Sequence, residues 1–228
     1  MLNEIEFKVY GRYALFTDPI TKIGGEKCSY HIPTYEAIKG ITKSIYWKPS
    51  FIWHIDKIRI MKRIRMESKS AKPLKYVGGN DLSIYTYLSD VEYQVLAHFE
   101  WNAFRADLAD DRNDIKHLSV AERMIEKGGR QDIFLGTREC QGYVEPCRFG
   151  DKQGFYDDYG DLSFGLMFHG FSYPDEIGVN ELHRRLWRPI MHNGIIEFPN
   201  PKDPSVLRSK VRDMDPHPPS SMKLEDIS

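Results

Sequence analysis

The sequence contains little cysteine and no long apolar run. Three cysteines occur in 228 residues, at Cys28, Cys140 and Cys147, and no two of them form a C-x-x-C pair, so neither a disulfide framework nor a zinc site is indicated. No apolar stretch approaches the roughly 20 residues that cross a bilayer, and the first residues lack a basic region followed by an apolar one. We therefore expect reduced thiols, a cytoplasmic location and no membrane partner.

Several catalytic motifs are also missing. The sequence has no G-x-x-x-x-G-K-[ST] loop, no H-E-x-x-H and no G-x-S-x-G, so nucleotide triphosphatase, zinc protease and α/β-hydrolase functions have no specific support. Two acidic groups could in principle bind a divalent ion, but hydrated surface loops are the simpler interpretation. They are Asp107, Asp110, Asp111 and Asp114, and Asp157, Asp158 and Asp161. We expect no metal and no cofactor.

The net charge of −1 and a pI near 6.7 argue weakly against nucleic-acid binding, but the basic residues are clustered. Between positions 57 and 75 only one acid, Glu67, accompanies a run of basic residues, which suits a phosphate backbone. The run consists of Lys57, Arg59, Lys62, Arg63, Arg65, Lys69, Lys72 and Lys75. A second patch at 183–188 includes Trp187, and a solvated strand face is an equal alternative there.

Hydrophobic periodicity predicts an α+β protein. Ile5, Phe7 and Val9 alternate as in a strand, and Thr34 can cap a helix that runs to about Tyr46. A strand is predicted over 51–64, an inserted hairpin over about 66–89 with a turn at 77–80, a strand over 91–101, a second helix and a strand over 133–144. This is the ferredoxin-like, RNA-recognition-type βαββαβ order, expected over 1–146. A small antiparallel β subdomain should follow over 147–199, and an extended or disordered tail over 200–228.

The second helix is predicted to begin at Ser119. Ser119 and Glu122 have the spacing of a capping box, and Gly128 can take the left-handed conformation that ends a helix. Lys116 and His117 would then lie in a loop at the helix N-terminus, where amides and the helix dipole favour an anion such as phosphate. Taken alone, a lysine and a histidine in a polar loop indicate solvated surface.

The topology supplies the missing partner. With right-handed crossovers, the end of the first helix and the start of the second lie at the same edge of the sheet, which brings Tyr46 to Lys116 and His117. These three residue types suit metal-free RNA cleavage by the ribose 2′-hydroxyl, with a 2′,3′-cyclic phosphate and a 5′-hydroxyl as products. His117 could serve as base or acid, Lys116 could stabilise the phosphorane, and Tyr46 could hold or deliver a proton.

Four segments carry a resemblance to a known family, at 13–19, 29–34, 45–49 and 132–140; they read YALFTDP, SYHIPT, IYWKP and DIFLGTREC. The sequence resembles the fifth family of CRISPR-associated proteins, in its type I-C form, from the N-terminus to about Pro199. The resemblance implies an endoribonuclease that cuts precursor CRISPR RNA at the base of the repeat hairpin without a metal. It then remains on the 5′ handle with the other subunits of the type I-C surveillance complex.

The resemblance also assigns the catalytic tyrosine to Tyr46 and the adjacent lysine and histidine to Lys116 and His117, and it favours RNA contact by the basic residues from Lys57 onwards. Two alternatives stay open. The chain could be a non-catalytic RNA-binding scaffold that caps the 5′ handle, as in other subtypes, or a metal-dependent nuclease. The sequence leaves open which of Tyr46 and His117 is base and which is acid.

Overall fold

A computed structural model describes residues 3–18, 26–74, 78–79 and 81–216. The described residues form a mixed α and β structure that is mostly antiparallel sheet with few helices, in agreement with the predicted α+β class. The strands are β1 (Glu4–Ala14), β2 (Lys27–Cys28), β3 (Phe51–Ile60), β4 (Met66–Ala71), β5 (Ser83–Trp101), β6 (Ile133–Phe134), β7 (Gln141–Pro146), β8 (Asp161–Ser163), β9 (Met167–Ser172), β10 (Glu181–Trp187), β11 (Ile190–His192), β12 (Ile195–Glu197) and β13 (Leu207–Asp213). The helices are α1 (Tyr35–Ile45), α2 (Asp114–Glu126) and α3 (Pro174–Ile177), with a 3-10 helix at Ala106–Asp111.

Two sheets organise the described chain. The large one has the strand order β6-β7-β1-β5-β3-β12-β11-β8, with β2 and β4 also paired to β5. Neighbouring strands along this order are antiparallel, including β1 with β5 and β7 and β3 with β5. The small sheet has the order β13-β10-β9. Helix α1 packs on β3, β6 and β9, and α2 packs on β1 and β7, so both helices cover the buried face of the large sheet.

The first helix follows its sequence closely. The Thr34 side chain accepts a hydrogen bond from the Ala37 amide at 3.1 Å, which is the predicted N-cap. Ile38, Ile41 and Ile45 are buried, as expected for residues that recur every three or four positions. Helix α1 ends at Ile45, and Tyr46 takes an extended conformation as the C-cap residue.

The predicted start of the second helix is wrong. Helix α2 begins at Asp114, and its N-cap is Asn113, whose side-chain oxygen accepts from the Lys116 amide at 3.0 Å. Asn113 caps an orphan amide of the helix start six residues earlier than the Ser119 capping box would. Lys116 and His117 therefore lie in the first helical turn rather than in a loop.

The predicted end of this helix is correct. Gly128 has φ +80, and the amides of Gly128 and Gly129 donate to the carbonyls of Ile125 and Met124 at 3.0 and 2.8 Å. This pair of bonds is a Schellman motif, which glycine permits because it has no Cβ.

Two predicted strands have different extents. The strand expected over 51–64 ends at Ile60, and the Ile64 amide donates to the Tyr156 hydroxyl instead of to the sheet. The strand expected over 133–144 is a hairpin of β6 and β7. Gly136 separates them with φ +96, and a Cβ there would lie 2.1 Å from the Leu15 carbonyl oxygen, so only glycine fits this turn.

The hairpin expected at about 66–89 is formed by β4 and the first part of β5, which continues without interruption to Trp101. Its predicted turn is described only in part. Gly78 and Gly79 both have positive φ, whereas Val77 and Asn80 lie outside the described residues.

The C-terminal third is divided between the two sheets. β12 pairs with β3 and, together with β11 and β8, extends the large sheet, while β9 and β10 belong to the small one. Residues 207–213, expected in an extended or disordered tail, form β13 and pair with β10. Positions 217–228 of that tail lie outside the described residues. Among the described helices, none is long and apolar enough to span a membrane.

Candidate active site

The end of α1 and the first turn of α2 meet at Tyr46 and His117. The Tyr46 hydroxyl lies 2.7 Å from His117 Nδ1, although the two residues are 71 positions apart. His117 shares a buried face of α2 with Ala121 and Ile125 at spacings of four residues, whereas Lys116 lies about 100° around the helix from it. The structure therefore brings all three predicted residues to one edge of the sheet, with His117 pointing inwards.

The second contact of His117 fixes its tautomer. Its Nε2 lies 2.8 Å from the backbone carbonyl oxygen of Asp111. A carbonyl oxygen can only accept, so Nε2 carries the hydrogen and, in the neutral ring, Nδ1 carries the lone pair. The Tyr46 hydroxyl must then donate to Nδ1. His117 is thus arranged to receive the proton of Tyr46.

His117 has no exposed surface. Its exposed fraction is 0%, and its ring lies 5.3 Å from that of Phe51, 5.5 Å from Trp101 and 5.9 Å from Tyr46, measured between centroids. A bound molecule cannot touch this imidazole while these rings are in place. Tyr46, with an exposed fraction of 4%, is the contact between His117 and the rim of the site.

Lys116 and Asp111 form the polar rim of the site. The side chain of Lys116 is 52% exposed, and its Nζ lies 2.6 Å from Asp111 Oδ1. Asp111 Oδ2 accepts from the Ser50 hydroxyl at 3.1 Å. The hydrogen bond from Lys116 holds the pKa of the Asp111 carboxyl below its usual value. The ammonium is therefore held beside Tyr46 and His117 while half of its surface stays open to solvent.

Sequence reasoning missed the roles of Ser50 and Asp111. The sequence indicates a hydrated acidic loop at Asp111, whereas the 3-10 helix at Ala106–Asp111 brings its carboxylate to 3.4 Å from His117 Nε2. Ser50 is buried directly before β3. Neither position has a motif spacing to Lys116 that could have identified it.

The Tyr46 hydroxyl is protonated in this environment. Burial raises the pKa of Tyr46, the Asp111 carboxylate raises it further, and the Arg130 guanidinium opposes both effects. The Trp53 indole also donates to the Tyr46 carbonyl at 2.7 Å, which fixes the backbone of this residue. Tyr46 therefore presents a proton to His117 from a rigid position.

The predicted RNA-binding stretch does not form one surface. Arg59 is 6% exposed and is bound on the inside by Asp157, at 2.6 Å, and by Gln94, at 3.2 Å. Arg59 is therefore structural, which corrects its assignment as an RNA contact. Strand alternation puts Arg59 on the face of the sheet opposite Ile58 and Ile60, where the carbonyls of Asp151 and Lys152 also accept from its guanidinium.

The other basic residues of the stretch fall into two groups. Three are ion-paired: Lys57 with Glu197, Lys62 with Asp90 and Lys69 with Glu67. Three are exposed: Arg63, Arg65 and Lys72; Lys75 lies outside the described residues. β3 has ten residues, or roughly 30 Å at ~3.3 Å per residue, and Arg63 and Arg65 follow its far end. They are thus remote from Tyr46, whose neighbour Phe51 begins the strand.

The second basic patch is also partly internal. Arg185 is buried and donates to the Ser172 hydroxyl at 2.6 Å and to His169 Nδ1 at 3.2 Å, and Trp187 is buried.

The two acidic groups of the sequence contain ion-paired residues, Asp107 with Arg105 and Asp161 with His192. Within the described ranges, no three His, Cys, Asp or Glu side chains are grouped as metal ligands would be, and the three cysteines are unpaired.

The comparisons with known proteins agree with the family suggested by the sequence. The profile of the family described as CRISPR-associated protein (Cas_Cas5) matches residues 4–199, and the chain belongs to this family. A protein of Mannheimia succiniciproducens named CRISPR pre-crRNA endoribonuclease Cas5d is 33% identical over 226 residues, which cover 87% of this chain and 96% of the relative.

One further curated protein and two solved structures extend this result. A protein of Thermus thermophilus with the same name is 29% identical and covers 79% of each chain. The solved structure of a functionally uncharacterized Streptococcus mutans protein has a TM-score of 0.71 and 36% identity, covering 90% of this chain and 96% of its own. Another, described as the crystal structure of a CRISPR-associated protein, has a TM-score of 0.74 and 34% identity. The predicted enzyme class, an endoribonuclease, is the class that both curated relatives carry in their names.

Proposed function

We propose that this chain is a metal-independent endoribonuclease that cuts precursor CRISPR RNA at the base of the repeat hairpin and remains on the 5′ handle in the type I-C surveillance complex. The observation that carries the chemistry is the 2.7 Å contact between the Tyr46 hydroxyl and Nδ1 of a buried His117, whose Nε2 faces the Asp111 carbonyl. The family and the names of the curated relatives support the substrate. The complex subunits are inferred from the family resemblance.

The proposed step moves one proton inwards. The ribose 2′-oxygen attacks the adjacent phosphorus, its proton passes to the Tyr46 oxygen, and the Tyr46 proton passes to His117 Nδ1. The bond from phosphorus to the 5′-oxygen breaks, and that oxygen takes a proton from water. Lys116, the exposed ammonium of the site, stabilises the charge on the phosphorane. The products are a 2′,3′-cyclic phosphate and a 5′-hydroxyl.

This assignment makes Tyr46 the base and His117 its proton acceptor. The reverse assignment needs Tyr46 to protonate the leaving oxygen, and a neutral His117 has no hydrogen on Nδ1 with which to replace that proton. The burial of His117 supports the same conclusion, because the imidazole reaches the RNA only through Tyr46. DNA lacks the attacking hydroxyl and should not be cut by this route.

The fold supports the same proposal at the level of the domain. We take β1, α1, β3, β5, α2 and β7 as the ferredoxin-like unit of residues 1–146, because their strands lie in the order β7-β1-β5-β3 with antiparallel neighbours. In this arrangement the end of α1 and the start of α2 share one edge. Residues 147–199 would form the smaller unit, although β8, β11 and β12 extend the large sheet.

The test uses the purified chain and its own repeat RNA in EDTA, beside the same RNA with a 2′-deoxy substitution at the cut site. Cleavage of the first RNA alone, with a cyclic phosphate identified by mass, is expected. Loss of cutting in EDTA would indicate the metal-dependent nuclease. Tight binding without cleavage, whether EDTA is present or absent, would instead indicate the non-catalytic scaffold on the 5′ handle, with Lys116 as a phosphate contact.

A further inference from the structure

Trp47 differs from the other tryptophans of the chain. Its side chain is 45% exposed, whereas Trp53 and Trp187 are buried and Trp101 packs against Phe51 and His117. The chain leaves α1 in an extended conformation at Tyr46, and this turns the next residue outwards. Among the described residues, no other ring stacks on Trp47. A large aromatic face is thus open directly beside the catalytic tyrosine.

One side of Trp47 faces a concave, basic surface, whereas its other side lines a pocket that includes Asp175 and Glu176. A groove of about 580 Å³ is lined by Trp47, Lys43, Lys48 and Arg130, together with Ser44, Pro49 and Gln131, and no carboxylate contributes to it. Lys43 lies 3.6 Å from Glu176, whereas Lys48 and Arg130 have no ion-pair partner in the described part of the chain. The groove is thus complementary to an anion of ligand size.

Backbone hydrogen bonds hold Arg130 in this position. The Arg130 amide donates to the carbonyls of Ser44 and Ile45, and the Gln131 amide donates to Ser44, all at 3.0 to 3.2 Å. These bonds satisfy the free carbonyls at the end of α1. They also place the Arg130 guanidinium close enough to Tyr46 to oppose the rise in the pKa of its hydroxyl. Arg130 therefore lines the same groove as the indole and lies near Tyr46.

We propose that Trp47, Lys48 and Arg130 form a nucleotide subsite beside Tyr46, in which the base next to the scissile phosphate stacks on the indole and its phosphate binds the two cations. This proposal rests on the proposed RNA cleavage and specifies how the reacting nucleotide is positioned. Unpaired bases stack on aromatic rings and arginine binds phosphate, which matches the composition of the groove. Lys48 and Arg130, the two groove cations without an ion-pair partner in the described residues, favour an anionic ligand, and the indole beside them favours one that carries a base.

The test measures stacking directly. Repeat RNA with the 2′-deoxy block at the cut site and 2-aminopurine at one of the two flanking nucleotides is titrated with the full chain. Wild type and Trp47→Phe should quench the fluorophore. Trp47→Ala should abolish the quenching at one of the two positions and weaken binding by about 5- to 150-fold, the range for one stacked base. Tyr159→Ala, which removes another exposed aromatic side chain, is the matched control and should change neither quantity.

The cations are tested by salt dependence. Arg130→Gln should weaken binding and reduce the slope of log affinity against log salt by about one, whereas Arg148→Gln, an exposed control, should not. Unchanged quenching and affinity in Trp47→Ala, with cleavage by the wild type intact, would overturn the subsite and leave the indole to a protein contact. Intact quenching without any cleavage by the wild type would overturn the proposed function but not the stacking.

Discussion

Two of the histidines that the structure describes are fully buried, and their comparison shows what makes one of them a candidate for catalysis. His117 and His169 both have an exposed fraction of 0%. Each directs Nε2 to a backbone carbonyl, of Asp111 at 2.8 Å and of Pro199 at 3.2 Å. Both therefore have the same tautomer, with the lone pair on Nδ1.

The difference lies in the group that donates to Nδ1. His117 faces the hydroxyl of Tyr46, which can transfer its proton, whereas His169 faces Nε of Arg185 at 3.2 Å. A guanidinium does not give up a proton in a protein. Burial together with the neighbouring Arg185 charge lowers the pKa of His169 to about 3. Burial and tautomer alone therefore do not define a proton acceptor, because the partner must also have a proton to transfer.

The largest effect is expected for Tyr46→Phe, which gives His117 a partner without a transferable proton and so makes it resemble His169. Cleavage should fall by about 10⁴-fold, the upper range for general acid–base catalysis, while affinity for the 2′-deoxy repeat RNA stays within a factor of two or so. Single-turnover kinetics and a binding titration measure the two quantities. Tyr159→Phe is the control. A cleavage rate within tenfold of wild type would exclude Tyr46 as the base.

The second-largest effect is expected from replacing His117, and the same replacement of His169 should not affect the cleavage rate. His117→Ala should slow cleavage by about 10³-fold, and its residual rate should rise with pH towards ionisation of Tyr46, because the phenol must then lose its proton to solvent. His169→Ala should leave the rate per folded molecule unchanged. It should lower the free energy of unfolding by about 3 kcal/mol, since it leaves a cavity and removes the acceptor of the Arg185 Nε hydrogen bond.

Rates at several pH values and denaturant titrations of both variants distinguish these outcomes. Equal losses of cleavage in the two variants, corrected for the folded fraction, would show that His117 has no role in cleavage that His169 lacks.

Lys116→Gln should have a smaller effect of about 10²-fold on cleavage, which is typical for the loss of one group that stabilises a charged transition state. It also removes the hydrogen bond that lowers the pKa of Asp111. Lys127→Gln alters an exposed lysine at the other end of α2 and is the matched control. If Lys116→Gln changed RNA affinity and cleavage by the same factor, Lys116 would be a binding residue only.

The smallest effect concerns stability at low pH. The pKa of His169 is lowered to about 3 in the folded state and is near 6.5 in the unfolded state. Between these values the unfolded chain binds the proton and the folded chain does not, so the contribution of His169 to the free energy of unfolding is complete above pH 6.5 and is lost as the pH falls towards 3. The loss is about 1.4 kcal/mol per pH unit in this window. Unfolding titrations at pH 7, 6 and 5 should therefore show a smaller pH dependence for His169→Gln than for wild type. An identical slope would mean that His169 is accessible to protons in the fold.

Local sequence signals predicted much of the fold correctly. Thr34 as the first cap, Gly128 as the end of α2 and the buried alternation of β1 all depend on residues within a few positions of one another. The errors occurred where two local signals competed or where distant chain intervened. Asn113 replaced Ser119 as the cap, and Gly136 divided a predicted strand because the Leu15 backbone lies against it.

In the candidate site, too, some residues could be predicted from the sequence and others depend on packing between distant segments. Residue types and topology brought Tyr46, Lys116 and His117 together as candidates, and the family resemblance was needed to prefer catalysis over solvated surface. They could not identify Asp111, because its carbonyl and carboxylate reach His117 and Lys116 only through the packing of the 3-10 helix. Charge counting likewise favoured Arg59 as an RNA contact, whereas the fold uses it as a buried partner of Asp157.

The sequence by itself determined the class of fold, because periodicity and cap residues act over short distances along the chain, and it determined the family through four contiguous segments that resemble it. Topology and that resemblance together gave the three side chains proposed to perform the chemistry. Tertiary structure alone decided which of these side chains a substrate can touch. Packing of Phe51 and Trp101 encloses His117, the carbonyl of Asp111 selects its tautomer, and the extended C-cap turns Trp47 outwards. Burial and proton position depend on neighbours that are far apart in sequence, and only the folded chain brings them together.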